Sequence, residues 1–386
     1  MMTMRSPTEE HSDSSFSLPL SSFLFLPQEL KDAVLHHLAS SPTTLAACAL
    51  THRTFTPTAQ SLLFYTLHVT RASHAPALRR LLHSAPHLAA HPRRLIIADV
   101  HTTDEAQDHW IPTAAPDLAT VLAALPNLEM LALRCAMTSF PYLGDLRYAL
   151  RRVVLRLRGL ELAGIRMVPP DLVAGGRLAS LRLVDVSFAG RAPHSSTACA
   201  PEALELREIS SGALSPLRLD VRRLTRLRLD AADAAELVPF CASTLRVLEA
   251  YDNIPPPHAL PALHTLALRS YGPEGEFLRP WLRAAPGLRR LVLRASGGDI
   301  RLVDGDLEIG GCVLVSGNVL EEGRALERVE LVCGAKHAMR GSTLPKEVRV
   351  GVLEGGAEVV RVWVHRPDTS SGEHRVSMRG SDILDG

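Results

Sequence analysis

Leu128-Glu129-Met130-Leu131-Ala132-Leu133 is the stretch that decides the fold. Leu131 and Leu133 are two residues apart. In an extended chain they point to one side, while Ala132 and its period-2 neighbours point to the other. The Leu-x-x-Leu-x-Leu unit returns at Leu178, Leu181 and Leu183, at Leu224, Leu227 and Leu229, and at Leu263, Leu266 and Leu268. It returns again at Leu288, Leu291 and Leu293, and as Leu326, Val329 and Leu331. Weaker copies sit at Arg94-Leu95-Ile96-Ile97, at Leu157, Leu160 and Leu162, and at Leu245 and Leu248. One phase repeated this often predicts short strands that bury one side and open the other.

The segments between copies carry their own signals. Asp117 to Leu125 and Phe277 to Ala285 have helical spacing. Leu125-Pro126-Asn127, Leu260-Pro261-Ala262 and Ala285-Pro286-Gly287 then end the preceding segment and let a strand begin. Successive copies start roughly 18 to 46 residues apart, many near the repeat length of a leucine-rich repeat. Residues 71–365 therefore resemble an irregular leucine-rich repeat array. The Asn that ladders along the turn of such repeats is mostly missing. The competing expectation is a plain α/β domain.

The C-terminal third changes character. Ile300 to Val303 and Leu307 to Ile309 flank Asp304-Gly305, which predicts a hairpin. Cys312–Val315, Val348–Val352 and Val359–Val364 add strands, so this end is expected to be a β-rich cap on the array. From Arg366 the chain is polar and rich in Gly and Ser, and residues 366–386 are expected to be disordered. The same expectation holds for residues 1–21.

Ahead of the array lies FLFLPQELKDAVLHHLASSPTTLAACALTHRTFTPTAQSLLFYTL, residues 23–67. Pro27 suits a first helical turn, and Leu30, Val34, Leu35 and Leu38 form one apolar stripe. Ser40-Ser41-Pro42 breaks that helix, and Thr43 or Thr44 is placed to cap a second one carrying Leu45, Cys48 and Ala49. Thr54, Thr56 and Pro57 interrupt again before a third with Ala59, Leu62 and Leu63. Three short helices are too few to bury all of their apolar faces alone.

Leu-Pro-x-Glu-Leu, Val-Leu-x-x-Leu, Leu-Ala-Ala-Cys-Ala-Leu, Phe-x-Pro and Leu-Leu-Phe-x-Thr-Leu follow one another in that order. This order resembles the F-box of fungal F-box proteins, over roughly residues 23–69. Thr51-His52-Arg53-Thr54-Phe55 departs from the family, which often has a Trp and a basic residue there. The resemblance implies a three-helix F-box over 22–70, docked on a Skp-type adaptor and through it on a cullin–RING ubiquitin ligase. It implies docking through Leu26, Pro27, Leu30, Val34, Leu35, Leu38, Leu45, Cys48, Leu50 and Phe55. The repeats would then hold an unknown protein substrate. The alternative is a leucine-rich repeat scaffold whose helices only cap the first repeat.

Composition bounds the other classes. Net charge is +1 over 386 residues, so no global field favours nucleic acid or an acidic membrane. No apolar run approaches the roughly 18 residues of a membrane span, and Glu9 and Glu10 stand where a signal peptide needs basic residues. A cytoplasmic or nuclear location is expected. The six cysteines are far apart, with no CxxC pair, which excludes a disulfide framework or a zinc site of usual spacing.

No G-x-S-x-G elbow, P-loop or H-E-x-x-H occurs. His83, His87 and His91 have helical spacing, but Pro86 interrupts them and no carboxylate joins them. Asp304 and Asp306 are explained by their turn, and Asp230, Asp233 and Glu236 by a solvated helix start. A non-enzyme without cofactor or metal is expected.

The open face of the strands draws one further expectation. Arg134, Arg182, Arg226, Arg228, Arg269, Arg290 and Arg294 fall on outward positions. They would form a basic stripe suited to acidic or phosphorylated peptides. The alternative is that arginine is only this chain's usual soluble residue and that Asp and Glu beside it neutralise the stripe.

Overall fold

The proline steps of the N-terminal stretch separate three helices, α1 (Gln28–His37), α2 (Pro42–Thr51) and α3 (Thr56–Leu63). A computed structural model describes residues 26–99, 110–174, 176–190, 198–209, 217, 219–229, 237–251, 259–270 and 278–295, and beyond these only the strand backbones named below. The expected disorder of residues 1–21 lies outside them, as do Asp230, Asp233 and Glu236. The chain divides into two compact units, Met1–Thr66 and Leu67–Gly386.

In the first unit Pro27 precedes α1 and its carbonyl accepts from Leu30 and Lys31 N–H. Glu29 in the first turn and His36 and His37 in the last complement the helix dipole. Ser41 is the residue before α2, and Pro42 is its first. The helix therefore starts ahead of Thr43 and Thr44, because a proline needs no N–H partner there. Thr44 instead shares a 2.7 Å hydroxyl bond with Ser41. Thr58 Oγ1 donates to Asp32 Oδ1 at 2.7 Å, tying α3 to α1, and Thr56 Oγ1 donates to the Ala49 carbonyl at 2.9 Å, tying it to α2. Leu35, Leu45 and Phe55 form the interior, with Leu38, Cys48, Leu62 and Leu63 packed around them.

The second unit is built on a parallel sheet. Its strands are β1 (Thr66–Val69), β2 (Arg94–Ala98), β3 (Met130–Ser139), β4 (Gly159–Arg166), β5 (Ser180–Val184), β6 (Ala203–Arg207) and β7 (Arg226–Leu229). They continue as β8 (Val247–Tyr251), β9 (Thr265–Ser270) and β10 (Arg290–Ala295). Each lies beside the next in chain order, and every pairing from β2 to β10 is parallel. The crossovers contain α4 (His74–Ser84), α5 (Trp110–Thr113), α6 (Ala115–Ala124), α7 (Leu146–Val154), α8 (Val238–Cys241) and α9 (Leu278–Ala284). The fold class is thus α/β, with an open parallel sheet.

The leucine pattern becomes the core. Leu131, Leu160, Leu181, Leu204, Leu227, Leu248, Leu266 and Leu291 form one row across the sheet. Leu133, Leu162, Leu183, Leu206, Leu229, Ala250, Leu268 and Leu293 form the next, and every member of both rows is at most 2% exposed. Burial of each such leucine contributes about 2 kcal/mol. The copy in β6 escaped the sequence pattern because Pro201 holds the place of its first leucine.

Gly164 inside β4, and Asp185 and Glu208 just after β5 and β6, occupy equivalent positions, with φ of +64°, +48° and +53°. The next residues, Ile165, Val186 and Ile209, are buried.

After β10 comes an antiparallel excursion of β11 (Ile300–Val303), β12 (Asp306–Ile309) and β13 (Cys312–Val315), with Val303 opposite Asp306. The expected hairpin is there. β14 (Arg328–Cys333) then rejoins the large sheet, parallel to β10. β15 (Arg349–Leu353) pairs with β16 (Ala357–Arg361), and β17 (Val364–His365) with β18 (Ser377–Met378). β18 lies within the stretch expected to be disordered. The rest of 366–386 is outside the described residues.

Candidate functional site

The sheet face opposite the leucines has its own order. Register aligns Ala132, Glu161, Arg182, Glu205, Arg228, Glu249 and Ala267 on consecutive strands β3 to β9. Neighbouring strands lie about 4.8 Å apart. Five successive positions therefore alternate Glu, Arg, Glu, Arg, Glu, close enough for each to meet the next.

They do meet. Arg182 reaches Glu161 at 3.6 Å and Glu205 at 3.3 Å. Arg228 reaches Glu205 at 3.3 Å and Glu249 at 3.4 Å. Arg134, one pleat further along β3, closes the row with a bidentate grip on Glu161 at 2.7 and 3.2 Å. That bond raises the Arg134 guanidinium above its ordinary value. The three carboxylates are the less exposed partners, with Glu161 at 11%. Arg182 Nε and Glu205 Oε1 are shut from water and face their partners at ion-pair rather than hydrogen-bond geometry.

The stripe expected to be basic is therefore neutral from β3 to β8. Arg134, Arg182 and Arg228 are matched by Glu161, Glu205 and Glu249. The remaining arginines stand in other rows. Arg226 is aligned with Ala203 and Val247, Arg290 with Thr265, and Arg269 with Arg294. Sequence pattern found the arginines but not the glutamates that share their register. A shallow depression of about 370 Å³ runs along this face, its floor including Met130, Ser180, Ala203 and Val247.

The ten residues expected to dock an adaptor are split. Leu35, Leu45 and Phe55 are buried inside the helical unit, with Leu38 and Cys48 half-buried beside them. Leu26 is also half-buried. Pro27, Leu30, Val34 and Leu50 are exposed, Leu50 to 89%. Leu30 and Val34 are one turn apart on α1, so they share a face. The apolar stripe of α1 thus has two jobs, Leu35 and Leu38 inward and Leu30 and Val34 outward.

His83 closes α4, His87 sits in a 3₁₀ turn over Pro86–Ala90 and His91 follows it, so the three do not share one helix. Among the described residues no group of His, Cys, Asp and Glu could hold a metal ion. A second cavity, of about 630 Å³, lies between α4 and α6 and is lined by Arg79, Arg80, Leu82, His83, Thr120 and Val121. Arg79, on its wall, pairs with Asp117 at 2.8 Å. No helix among the described residues is long and apolar enough to cross a membrane.

No protein-family model matches the chain, and a search of curated proteins finds no significant relative.

Proposed function

We propose that this chain is a substrate-recognition adaptor of a Skp–cullin–F-box ubiquitin ligase. The helical unit is its F-box and docks a Skp-type adaptor. The parallel sheet is an irregular leucine-rich repeat array with a β-rich C-terminal end, and it holds a protein substrate. The chain itself performs no catalysis. It raises the local concentration of substrate beside the partner enzymes.

One observation carries the reading. The helical unit keeps an interior of Leu35, Leu45 and Phe55, yet Leu30, Val34 and Leu50 remain outside. An adaptor surface needs them, since a few apolar anchors dominate such interfaces. The ordered F-box segments supply the prior for which partner is meant.

The test is co-purification with a Skp-type adaptor. Leu30→Ala/Val34→Ala/Leu50→Ala should lower recovery at least about tenfold, at about 1 kcal/mol or more for each anchor. The sheet fold should be unchanged. Equal recovery of triple variant and parent would favour the scaffold reading, in which the helices have no ligase connection.

A further inference from the structure

Ubiquitin transfer to a side chain as an amide requires an amine. The lysine ammonium gives a proton to a base, and the freed Nζ attacks the carbonyl of the ubiquitin thioester. A C–N bond forms, the C–S bond breaks, and the carrier cysteine leaves as thiolate and is reprotonated. Arginine offers the same positive charge without this chemistry, because its guanidinium does not lose its proton in proteins.

The chain is built with almost no acceptors. Lys and Arg together number 42, and Lys31, Lys336 and Lys346 are the only lysines. None lies from residue 32 to residue 335, which contains the whole eleven-stranded sheet. Lys31 is inside α1 and only 7% exposed. Lys336 and Lys346 lie outside the described residues.

The surface positions where geometry does not demand arginine carry it as well. Arg222 and Arg223 are 89% and 72% exposed, and each meets a carboxylate only at 3.9 Å. No bidentate contact there exploits the planar fork, and lysine would serve equally.

We propose that the chain is a poor acceptor for the ubiquitin its own complex transfers, because the sheet from β1 to β10 offers no lysine and Lys31 is buried. This rests on the ligase reading above. An adaptor in such a complex sits near the thioester at an effective concentration on the order of millimolar. An exposed lysine on the sheet would compete with the substrate at every turn. Arginine keeps the ion-pair ladder and the solubility of the surface while removing that competition.

The experiment is reconstitution of the full chain with a Skp-type adaptor, cullin, RING protein, ubiquitin and the activating and conjugating enzymes. Conjugates are mapped by mass spectrometry and adaptor co-elution is recorded for every sample. Lys336→Arg/Lys346→Arg should carry at least about tenfold fewer side-chain conjugates than the same chain with Arg222→Lys/Arg223→Lys added. Those new conjugates should map to positions 222 and 223. With co-elution intact, equal conjugation of the two chains, or conjugates on Lys31, would overturn this inference alone. Loss of co-elution in the parent would overturn the ligase reading and this inference with it. Acylation of the native chain by an amine-reactive ester, which involves no ligase, should leave Lys31 unlabelled. Labelling of Lys31 as fast as Lys336 and Lys346 would also overturn the inference.

Discussion

Arg134 holds Glu161 with both arms of its fork, Nε to Oε1 at 2.7 Å and Nη2 to Oε2 at 3.2 Å, across the gap from β3 to β4. Glu161 also receives Arg182 from β5. Glu161→Gln keeps the shape and removes the charge that both arginines face. Both arginines are a third or more exposed, so water replaces part of the loss. The expected cost is about 1 kcal/mol in urea unfolding. A double-mutant cycle with Arg134→Gln should give a coupling near 0.5–1 kcal/mol, roughly the range of partly exposed pairs. Additivity of the two changes would show that the grip contributes nothing.

The positions of positive φ separate two opposite outcomes. A Cβ on Gly164 would stand 1.9 Å from the Cys135 carbonyl oxygen, at a φ of +64°. Backbone must move, so Gly164→Ala should cost more than about 3 kcal/mol. Glu208 holds a φ of +53° without being glycine. Glu208→Gly should relieve that strain and leave stability unchanged or raised by up to about 1 kcal/mol. The midpoint of urea unfolding reads both, and a destabilised Glu208→Gly would mean that its side chain is needed where it is.

These contrasts mark what was legible in the sequence. Leu-x-Leu spacing located the strands from β2 to β10 except β6, because burial of alternate residues is a local property. Pro201 hid β6, since the pattern demands a leucine where only burial is needed. The ladder was invisible for a different reason. Glu161 and Arg182 are 21 positions apart in sequence, and only register makes them neighbours. Setting the centres of the Leu-x-Leu units side by side yields Glu, Arg, Glu, Arg, Glu, a signal that was present but needed alignment of strands. On α1, spacing identified the stripe but not which edge of it faces inward, because Leu30 and Leu38 satisfy the same periodicity.

Asp32 ties the helices of the first unit. The Thr58 hydroxyl, then the Gln28 amide, hold its carboxyl below the ordinary carboxylate value. A lowered native pKa means that the unfolded chain takes up its proton first as pH falls. The stabilisation is therefore full above about pH 5 and is lost as pH falls through the native value. Urea unfolding of the full chain, followed by hydrogen exchange over residues 28–63, should separate parent from Asp32→Asn at pH 6. The gap should narrow as pH falls below about 4, and a gap that widened toward acid would contradict the assignment.

The thiols should divide by burial. Desolvation pushes Cys135 up to about 12 and Cys199 and Cys241 up to about 11. Almost no thiolate exists on these three at pH 8, and the thiolate is the reactive form. Cys48 is half-buried on α2. Iodoacetamide on the native chain at pH 8, read by peptide mapping, should modify Cys48 at least about tenfold faster than Cys135. Equal rates would mean that the sheet opens on the time scale of labelling.

Alternation gives the ladder a parity. A parallel sheet whose strands follow one another in chain order can lengthen or shorten by one strand and its crossover, since each strand touches only its neighbours. Between β4 and β8 that freedom is halved. Excising β6 with its crossover would set Arg182 directly beside Arg228, and duplicating it would set Glu205 beside its own copy. Like charges facing across a sheet oppose pairing. Here the sheet grows or shrinks without that penalty only two strands at a time, and its strand count carries a checksum written in charge.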